Sequence, residues 1–442
     1  MVDKSTINKT MKIKLNMARI ITRTIRSLLS DKKDDYIFHK VDPNNQKIFF
    51  PQSSGLYIHV PFCTSMCPYC PYYKEYFDKD LAQRYKRALL KEIEQYGSRT
   101  DGVNFTSLYI GGGTPTLIID DLAEIIVHIR KHLNFNGVIG LETTPKDLTH
   151  DNLKKLKEMG VNLLSLGVQS FNDECLKSIG RNYKYADIKE NLDLLKQYFF
   201  DTVNFDMIFV LPEQSLDDIK NDLDVALSHN PHQITYYPLF TFPYTSIGKF
   251  KKLRGLKLPN VFKRRKMYYF IHQYLEKKGF KRTSVWSFNK GKMTPYSSVT
   301  RDFYLGLGPG AGSYTKEGFY FNTFSVREYV RMIEEENRLP LALKMNVSER
   351  MAKLFWLYWR LYETKISDTD YRKLFKKNLK SDFSYVLKAL RWLGFTERDD
   401  DSRLNTRGTH WIHLMQNYFA LNYVTEVWIA FKKNPHPESV PI

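Results

Sequence analysis

Three of the chain's four cysteines fall within eight residues, as Cys63, Cys67 and Cys70 of CTSMCPYC. Four cysteines in 442 residues are too few for a disulfide framework, and this crowding reads as metal or cluster ligation in a reducing compartment. Three thiolates leave a tetrahedral zinc one ligand short unless a fourth comes from elsewhere. They suit a cubic four-iron cluster with one iron left open. An open iron calls for a bidentate ligand. The amine and carboxylate of an amino acid would fill it, and S-adenosylmethionine offers both. One electron passed to its sulfonium would break a carbon–sulfur bond and leave a 5'-deoxyadenosyl radical. That chemistry is the cofactor's; the protein positions and shields. The fourth cysteine, Cys175 in NDECLKSIG, stands alone on a helical pattern and reads as an inert core thiol.

Other motifs fall where such a cofactor would need them. GGGTP (111–115) follows an apolar run. Alone it is a Gly-Pro turn. After a cysteine loop it reads as a cradle for the methionine amine, built from Gly112, Gly113 and Thr114, because glycines admit close backbone approach. Glu142 in LETTP offers a carboxylate to ribose hydroxyls or an amine. Gln169 and Ser170 in GVQSF end a fourth apolar run, and Asp206 in NFDMIFVLP is read as ending a fifth.

Elements must carry these residues to one place. Strand patterns at 56–60, 105–110, 138–144, 162–170, 202–212 and 233–240 alternate with helical patterns such as 79–97 and 150–160. Six strand–helix units without a reversal signal predict an α/β chain with a parallel sheet, wound as a partial (β/α)6 TIM-like barrel. Chemistry then belongs at the C-terminal ends of the strands. Residues 282–318 read as irregular. Beyond residue 340 a helix is expected after a capping box of Asn346 and Glu349, then a second helix (381–395), a hairpin (396–408) and a further helix. That order predicts a smaller helical or winged-helix-like domain at 341–442, behind a core at 51–340 and a basic extension at 1–50.

YIHVPFCTSMCPYC followed by YIGGGTPT resembles the radical S-adenosylmethionine superfamily, and within it the branch of oxygen-independent coproporphyrinogen III oxidase (HemN)-like proteins. The likeness spans about residues 53–330 and weakens beyond. It implies a [4Fe-4S] cluster on Cys63, Cys67 and Cys70, and one S-adenosylmethionine or two. Arg181 in IGRNY matches the family arginine for the cofactor's carboxylate. Tyr57 matches a tyrosine near the first molecule, while Tyr69, Gln169 and Asp206 match contacts to a second. GLGPGAGS (306–313) matches the branch's Gly-rich segment, but a larger side chain is usual near Gly312. Two departures stand out. No cysteine follows Cys70 in CPYCPYYKE, where coproporphyrinogen oxidases carry one. No His-Asn…Tyr-Trp motif precedes the Gly-rich segment, where haem chaperones carry one. The reading that remains is an enzyme on a tetrapyrrole-like or other unsaturated substrate, with class C methyl transfer and anaerobic haem degradation as the related chemistries. Coproporphyrinogen oxidation and haem carriage are the alternatives.

The net charge of +19 favours acidic partners, and carboxylate-rich tetrapyrroles would suit it. Lysine is nonetheless scattered along the chain as a surface would carry it. An acidic hairpin tip, ERDDDSR, would repel phosphate, so no nucleic acid is expected. Residues 11–33 form an amphipathic pattern, read first as a helix docked on the body and second as peripheral membrane contact. No apolar run is long enough to span a membrane, and no secretory signal is read, so a cytoplasmic protein served by an electron donor such as flavodoxin or ferredoxin is expected.

Overall fold

The computed structural model describes residues 36–42, 48–242, 244–245, 260–291, 302–400 and 402–442. The amphipathic pattern at 11–33 lies outside them, as does most of the loop after Gly291.

Six strands form the centre: β1 (Ser53–Val60), β2 (Asn104–Gly112), β3 (Phe135–Thr143), β4 (Val161–Gln169), β5 (Thr202–Phe209) and β6 (Gln233–Pro238). Each pairs in parallel with the next in chain order. The intervening helices are α1 (Lys79–Gly97), α2 (Ile119–His132), α3 (His150–Glu158), α4 (Asp173–Ser178), α5 (Lys189–Leu194) and α6 (Leu216–Ser228). α1 starts where Asp78 accepts the amide of Leu81, an N-cap that satisfies one orphan donor. It buries Leu81, Tyr85, Leu89, Ile93 and Tyr96, a stripe at helical spacing laid on the sheet. Strands covered in this way read as nearly continuous apolar runs, which is why the six units are legible in the sequence. The fold is therefore the expected partial (β/α)6 barrel. It does not close on itself. Ser287–Lys290 runs antiparallel to β6 at one end, while Tyr304–Leu307 continues in parallel beside β1.

Beyond Tyr304–Leu307 the same sheet runs on through Gly312–Tyr314, Gly318–Asn322, Leu341–Asn346, Ile37–Lys40 and Ser439–Pro441. The stretch read as irregular thus contains short strands. Elements of three or four residues are too brief to display a period-two pattern. The sheet crosses residue 340, since Asn322 pairs with Leu341, and Ile37–Lys40 from the N-terminal extension joins it too. The helices beyond it are α9 (Glu349–Tyr362), α10 (Asp368–Phe375), α11 (Leu379–Trp392) and α12 (Thr406–Lys433), after α7 (Val261–Lys277) and α8 (Val326–Glu334). The capping box expected at Asn346 is not the one formed. Asn346 is held in its strand opposite Gly318, and Ser348 caps α9 instead by accepting the amide of Met351 at 3.3 Å. Among the described residues the expected hairpin is a short one: Thr396 bridges Leu404, and the amides of Glu397 and Asn405 donate to the carbonyls of Arg403 and Phe395 at 2.9 and 3.0 Å. No described helix is long and apolar enough to cross a membrane.

One buried carboxylate ties these parts together. Glu92 on α1 accepts the Gly308 amide at 2.8 Å, the Tyr329 hydroxyl at 2.7 Å and the Asn322 side-chain amide at 3.1 Å. The Gly-rich segment and α8 are thereby fixed against the barrel wall. Gly308, at φ +91°, admits no side chain there, because a Cβ would sit 2.6 Å from the His59 carbonyl oxygen.

Candidate active site

The cysteine loop leaves the C-terminal end of β1 and is held by its backbone. Lys74 Nζ donates to the carbonyls of Cys67 (3.2 Å) and Cys70 (3.3 Å). The amide of Cys70 also donates to the carbonyl of Cys67. All three thiols are partly exposed at the mouth of the barrel and none is in a disulfide. Burial pushes the Cys63 thiol up to about 11 with Cys70 adding to the shift, whereas Lys74 and the Thr114 hydroxyl oppose it. A positive iron centre would reverse that balance. A single zinc ion holds its sulfurs within about 4 Å of one another. Among the described residues, the one trio of ligand-type side chains whose donor atoms all lie within 4.8 Å of each other is Glu94, His128 and His132. The three sulfurs do not form such a trio, and three thiolates on one loop with no fourth protein ligand are the donor set of a multi-iron cluster.

GGGTP wraps the base of this loop. The amides of Gly113 and Thr114 donate to the carbonyls of Val60 and Phe62, each at 2.7 Å. A Cβ on Gly113 would lie 2.3 Å from the Phe62 carbonyl. Those amides are spent, so a ligand ammonium here would meet carbonyl oxygens, the polarity it needs. Gly112, at φ +113°, makes room for His59, whose Cε1 a Cβ would meet at 2.7 Å.

Inside the barrel, strand register sets the rest. Tyr57 lies opposite Tyr109, Glu142 opposite Ser165, and Asp206 opposite Gly167. The Tyr109 hydroxyl and the Gly112 amide both donate to Glu142. Burial, with Asp206 adding to it, raises the Glu142 carboxyl to about 7. Asp206 does not end its strand. It sits within β5, accepting from Ser165 Oγ at 2.7 Å and Asn204 Nδ2 at 3.0 Å, and burial raises it to about 6. Tyr57 donates to His59 Nδ1 at 2.7 Å, because His59 Nε2 must carry the proton it gives to the Tyr73 carbonyl at 2.9 Å. Burial lowers His59 to about 4, so the ring is neutral.

Arg181 follows α4 on the other side of the mouth. Its Nη2 reaches the Gly167 carbonyl only at 3.5 Å, and its guanidinium lies 5.7 Å from the Tyr183 ring centre. Its Nε is shielded from solvent and has no hydrogen-bond partner. A largely buried cation with an idle donor is the mark of an anion site. Tyr69 of the cysteine loop packs beside it, the charge of Arg181 opposing the rise that burial imposes on its hydroxyl. Gln169, at φ +74°, turns its amide toward Gly167, where a Cβ would meet Gln169 Nε2 at 2.9 Å. Ser170 turns away from the mouth, donating to both oxygens of Asp222 at 2.9 and 2.8 Å. Tyr72, 54 % exposed, borders open space near Glu142 and Asp206. Tyr362 of α9 comes near Tyr72 and Asp206, so the C-terminal helices reach the same space.

His59, Tyr109, Ser165 and Asn204 were not singled out in the sequence. Each shares a strand with a residue that was, and period-two alternation was the available signal. Glu142 allows a test. Its folded value stands above the ordinary 4.5, so its contribution to stability is present below about pH 4.5 and is lost as pH rises toward 7. The stability of the cluster-free chain is expected to fall across that window, and that of Glu142→Gln to fall less, by at most about 3 kcal/mol. Urea denaturation at several pH values measures it, and equal slopes in both chains would refute it.

A partial barrel with a three-cysteine loop on its first strand, an idle arginine and buried carboxylates at its mouth defines the class. Residues 57–226 match the Radical SAM superfamily. The heme chaperone HemW of Bacillus subtilis (strain 168) is 30% identical over 287 residues, covering 63% of this chain and 76% of that protein. The HemW of Lactococcus lactis subsp. lactis (strain IL1403) is 28% identical over 307 residues, covering 67% and 80%. The solved coproporphyrinogen III oxidase (HemN) of Escherichia coli has the same fold, at a TM-score of 0.69 and 21% identity over 84% of this chain and 90% of that one. The chain belongs to the radical S-adenosylmethionine superfamily, in its HemN-like branch. Membership implies a [4Fe-4S] cluster and S-adenosylmethionine.

Proposed function

We propose that this protein is a radical S-adenosylmethionine enzyme acting on a tetrapyrrole-like or other unsaturated substrate. The observation that carries the reading is the idle Nε of Arg181, shielded beside Tyr69 at the rim of the cysteine loop. When bound, the cluster supplies the electron for reductive cleavage of S-adenosylmethionine. Cys63, Cys67 and Cys70 hold it. Arg181 takes the cofactor's carboxylate, the carbonyls of Gly112 and Gly113 with Thr114 take its amine, and Glu142 takes the amine or a ribose hydroxyl. Tyr57, fixed by neutral His59, lines the same side. Tyr69, Gln169 and Asp206 border the space for a second S-adenosylmethionine or for substrate. A cleft over the cysteine loop is lined by Tyr244, Phe324, Trp428 and Phe431 with Lys74 and Lys432. Aromatic walls with two cations suit a flat ring that bears carboxylates. The same cleft gives an electron donor such as flavodoxin or ferredoxin a route to the cluster.

The relatives named as haem chaperones favour a second reading, haem carriage without turnover, and a coproporphyrinogen III oxidase of Cereibacter sphaeroides, 27% identical over 308 residues, keeps decarboxylation as a third. One anaerobic assay separates them. The reconstituted chain is given dithionite, methyl-labelled S-adenosylmethionine, and haem or a reduced porphyrin. 5'-Deoxyadenosine with an altered tetrapyrrole supports the enzyme, and label in the product adds a methyl-donating second molecule. Carbon dioxide lost from the porphyrinogen supports the oxidase. Tight haem binding with no 5'-deoxyadenosine refutes the enzyme reading in favour of a carrier.

Asp206→Asn tests the division of roles. Ser165 can turn its hydroxyl to accept from the new amide while Asn204 still donates to the remaining oxygen, so the fold should tolerate the change. The variant is expected to form 5'-deoxyadenosine at the native rate and to lose at least about tenfold in product. Loss of 5'-deoxyadenosine itself would place Asp206 at the first cofactor.

A further inference from the structure

We propose that Glu94, His128 and His132 form a binding site for a divalent transition metal of the zinc type, at the end of the barrel opposite the cysteine loop. His128 and His132 stand four residues apart near the end of α2, so both rings face the same way. Glu94 reaches them from the last turn of α1. All three donor atoms lie within 4.8 Å of one another.

The local chemistry is unfinished without an ion. The Nε2 atoms of both histidines are shielded from solvent and have no hydrogen-bond partner. His128 Nε2 lies 3.0 Å from Glu94 Oε1, yet it is not aligned to give that oxygen a proton. The two rings are 4.4 Å apart, centre to centre. Shielded imidazole nitrogens left idle are costly, and one dication would satisfy both. Two imidazoles and a carboxylate are the donor set of three-ligand zinc sites, with water in the fourth position. The helices are also shaped for the approach. A Cβ on Gly97 would lie 2.8 Å from the His132 carbonyl oxygen, so glycine at the end of α1 lets the two helix ends meet.

The position assigns the ion a role. α1 leads into β2 and α2 into β3, so the trio lies at the N-terminal face of the barrel, where groups serve stability and not chemistry. The metal would pin α1, which carries Glu92, to α2.

The test uses the full chain with its cluster reconstituted, so that the cysteines are occupied. Zn2+ is titrated against a chromophoric chelator, and Co2+ serves as the spectroscopic probe. The native chain is expected to take one more equivalent of Zn2+ than the double variant His128→Ala/His132→Ala. Glu94→Gln, which keeps size and fold, should weaken binding by at least about tenfold, as loss of a ligand exceeds the loss of an outer partner. Bound Co2+ should give the visible d–d bands of a low-coordinate nitrogen and oxygen site with no sulfur charge-transfer band, and Zn2+ should raise the melting temperature of the native chain alone. Equal Zn2+ stoichiometry and affinity in native and double-variant chains would overturn the proposal. So would a Co2+ spectrum dominated by thiolate bands.

Discussion

Cys67→Ala is expected to give a folded chain that holds no cluster and forms no 5'-deoxyadenosine, with Cys63→Ala and Cys70→Ala behaving alike. The expectation rests on how the loop is built. Its shape depends on main-chain contacts that alanine keeps. Lys74 holds the carbonyls of residues 67 and 70, Glu75 donates its amide to the Pro61 carbonyl at 2.7 Å, and Phe77 donates to the Cys63 carbonyl at 3.0 Å. Tyr244 donates its hydroxyl to the Pro71 carbonyl at 3.2 Å from the far side. The thiols themselves hold little in place: Cys63 Sγ accepts one long hydrogen bond, 3.9 Å, from the Thr114 hydroxyl. Removing one therefore takes a ligand and leaves the loop. With two thiolates the cluster has no third corner, and the remaining cysteine is poorly placed to supply it, since Cys175 is buried in an apolar cluster with Ile179, Ile208 and Leu211 behind Tyr69 and its thiol is pushed up to about 12, burial being the main cause. Iron content, visible absorption and 5'-deoxyadenosine yield after anaerobic reconstitution measure the effect, with circular dichroism as the control for folding. A normal cluster spectrum in any one of the three variants would remove that cysteine from the ligand set.

What could be read from sequence follows from how far each feature reaches along the chain. The six barrel strands were legible because each is buried on both faces and bounded by a helix with its own period. The cysteine loop was legible because its chemistry lies within eight residues. Features made by contact between distant segments were not. Glu92 reads as one more charge on an amphipathic helix; only the structure brings Gly308, Asn322 and Tyr329 to it. His59 and Tyr109 look like ordinary strand residues until register places them beside Tyr57 and Glu142. Asp206 was recognised, but its depth was not, because a sequence shows that a strand ends without showing how far in a side chain points. The histidine pair on α2 is visible in VHIRKH, whereas Glu94 belongs to another helix. Arg181 is a special case. Nothing in IGRNY marks it out physically, and resemblance alone selected it.

Arg181→Met is expected to separate the cofactor site from the fold. Methionine approximates the length of the arginine stem and removes the charge. In the native chain the guanidinium makes a long contact, at 3.5 Å to the Gly167 carbonyl, pairs with the Tyr69 hydroxyl and lies near the Tyr183 ring, while Nε goes unpartnered. A largely buried cation compensated only by neutral partners, with no carboxylate beside it, costs stability. Without ligand, then, Arg181→Met should be as stable as the native chain or more so. With S-adenosylmethionine the order should reverse. A carboxylate paired with a buried guanidinium makes charge-assisted hydrogen bonds of about 1.5–3 kcal/mol, so affinity should fall by about ten- to a hundredfold. Arg181→Lys should recover little, because an ammonium lacks the planar fork. Iron content should not change in either variant. Denaturation without ligand and equilibrium binding with it read the two effects independently. Lower ligand-free stability together with undiminished affinity would make Arg181 a structural residue and return the carboxylate to another partner.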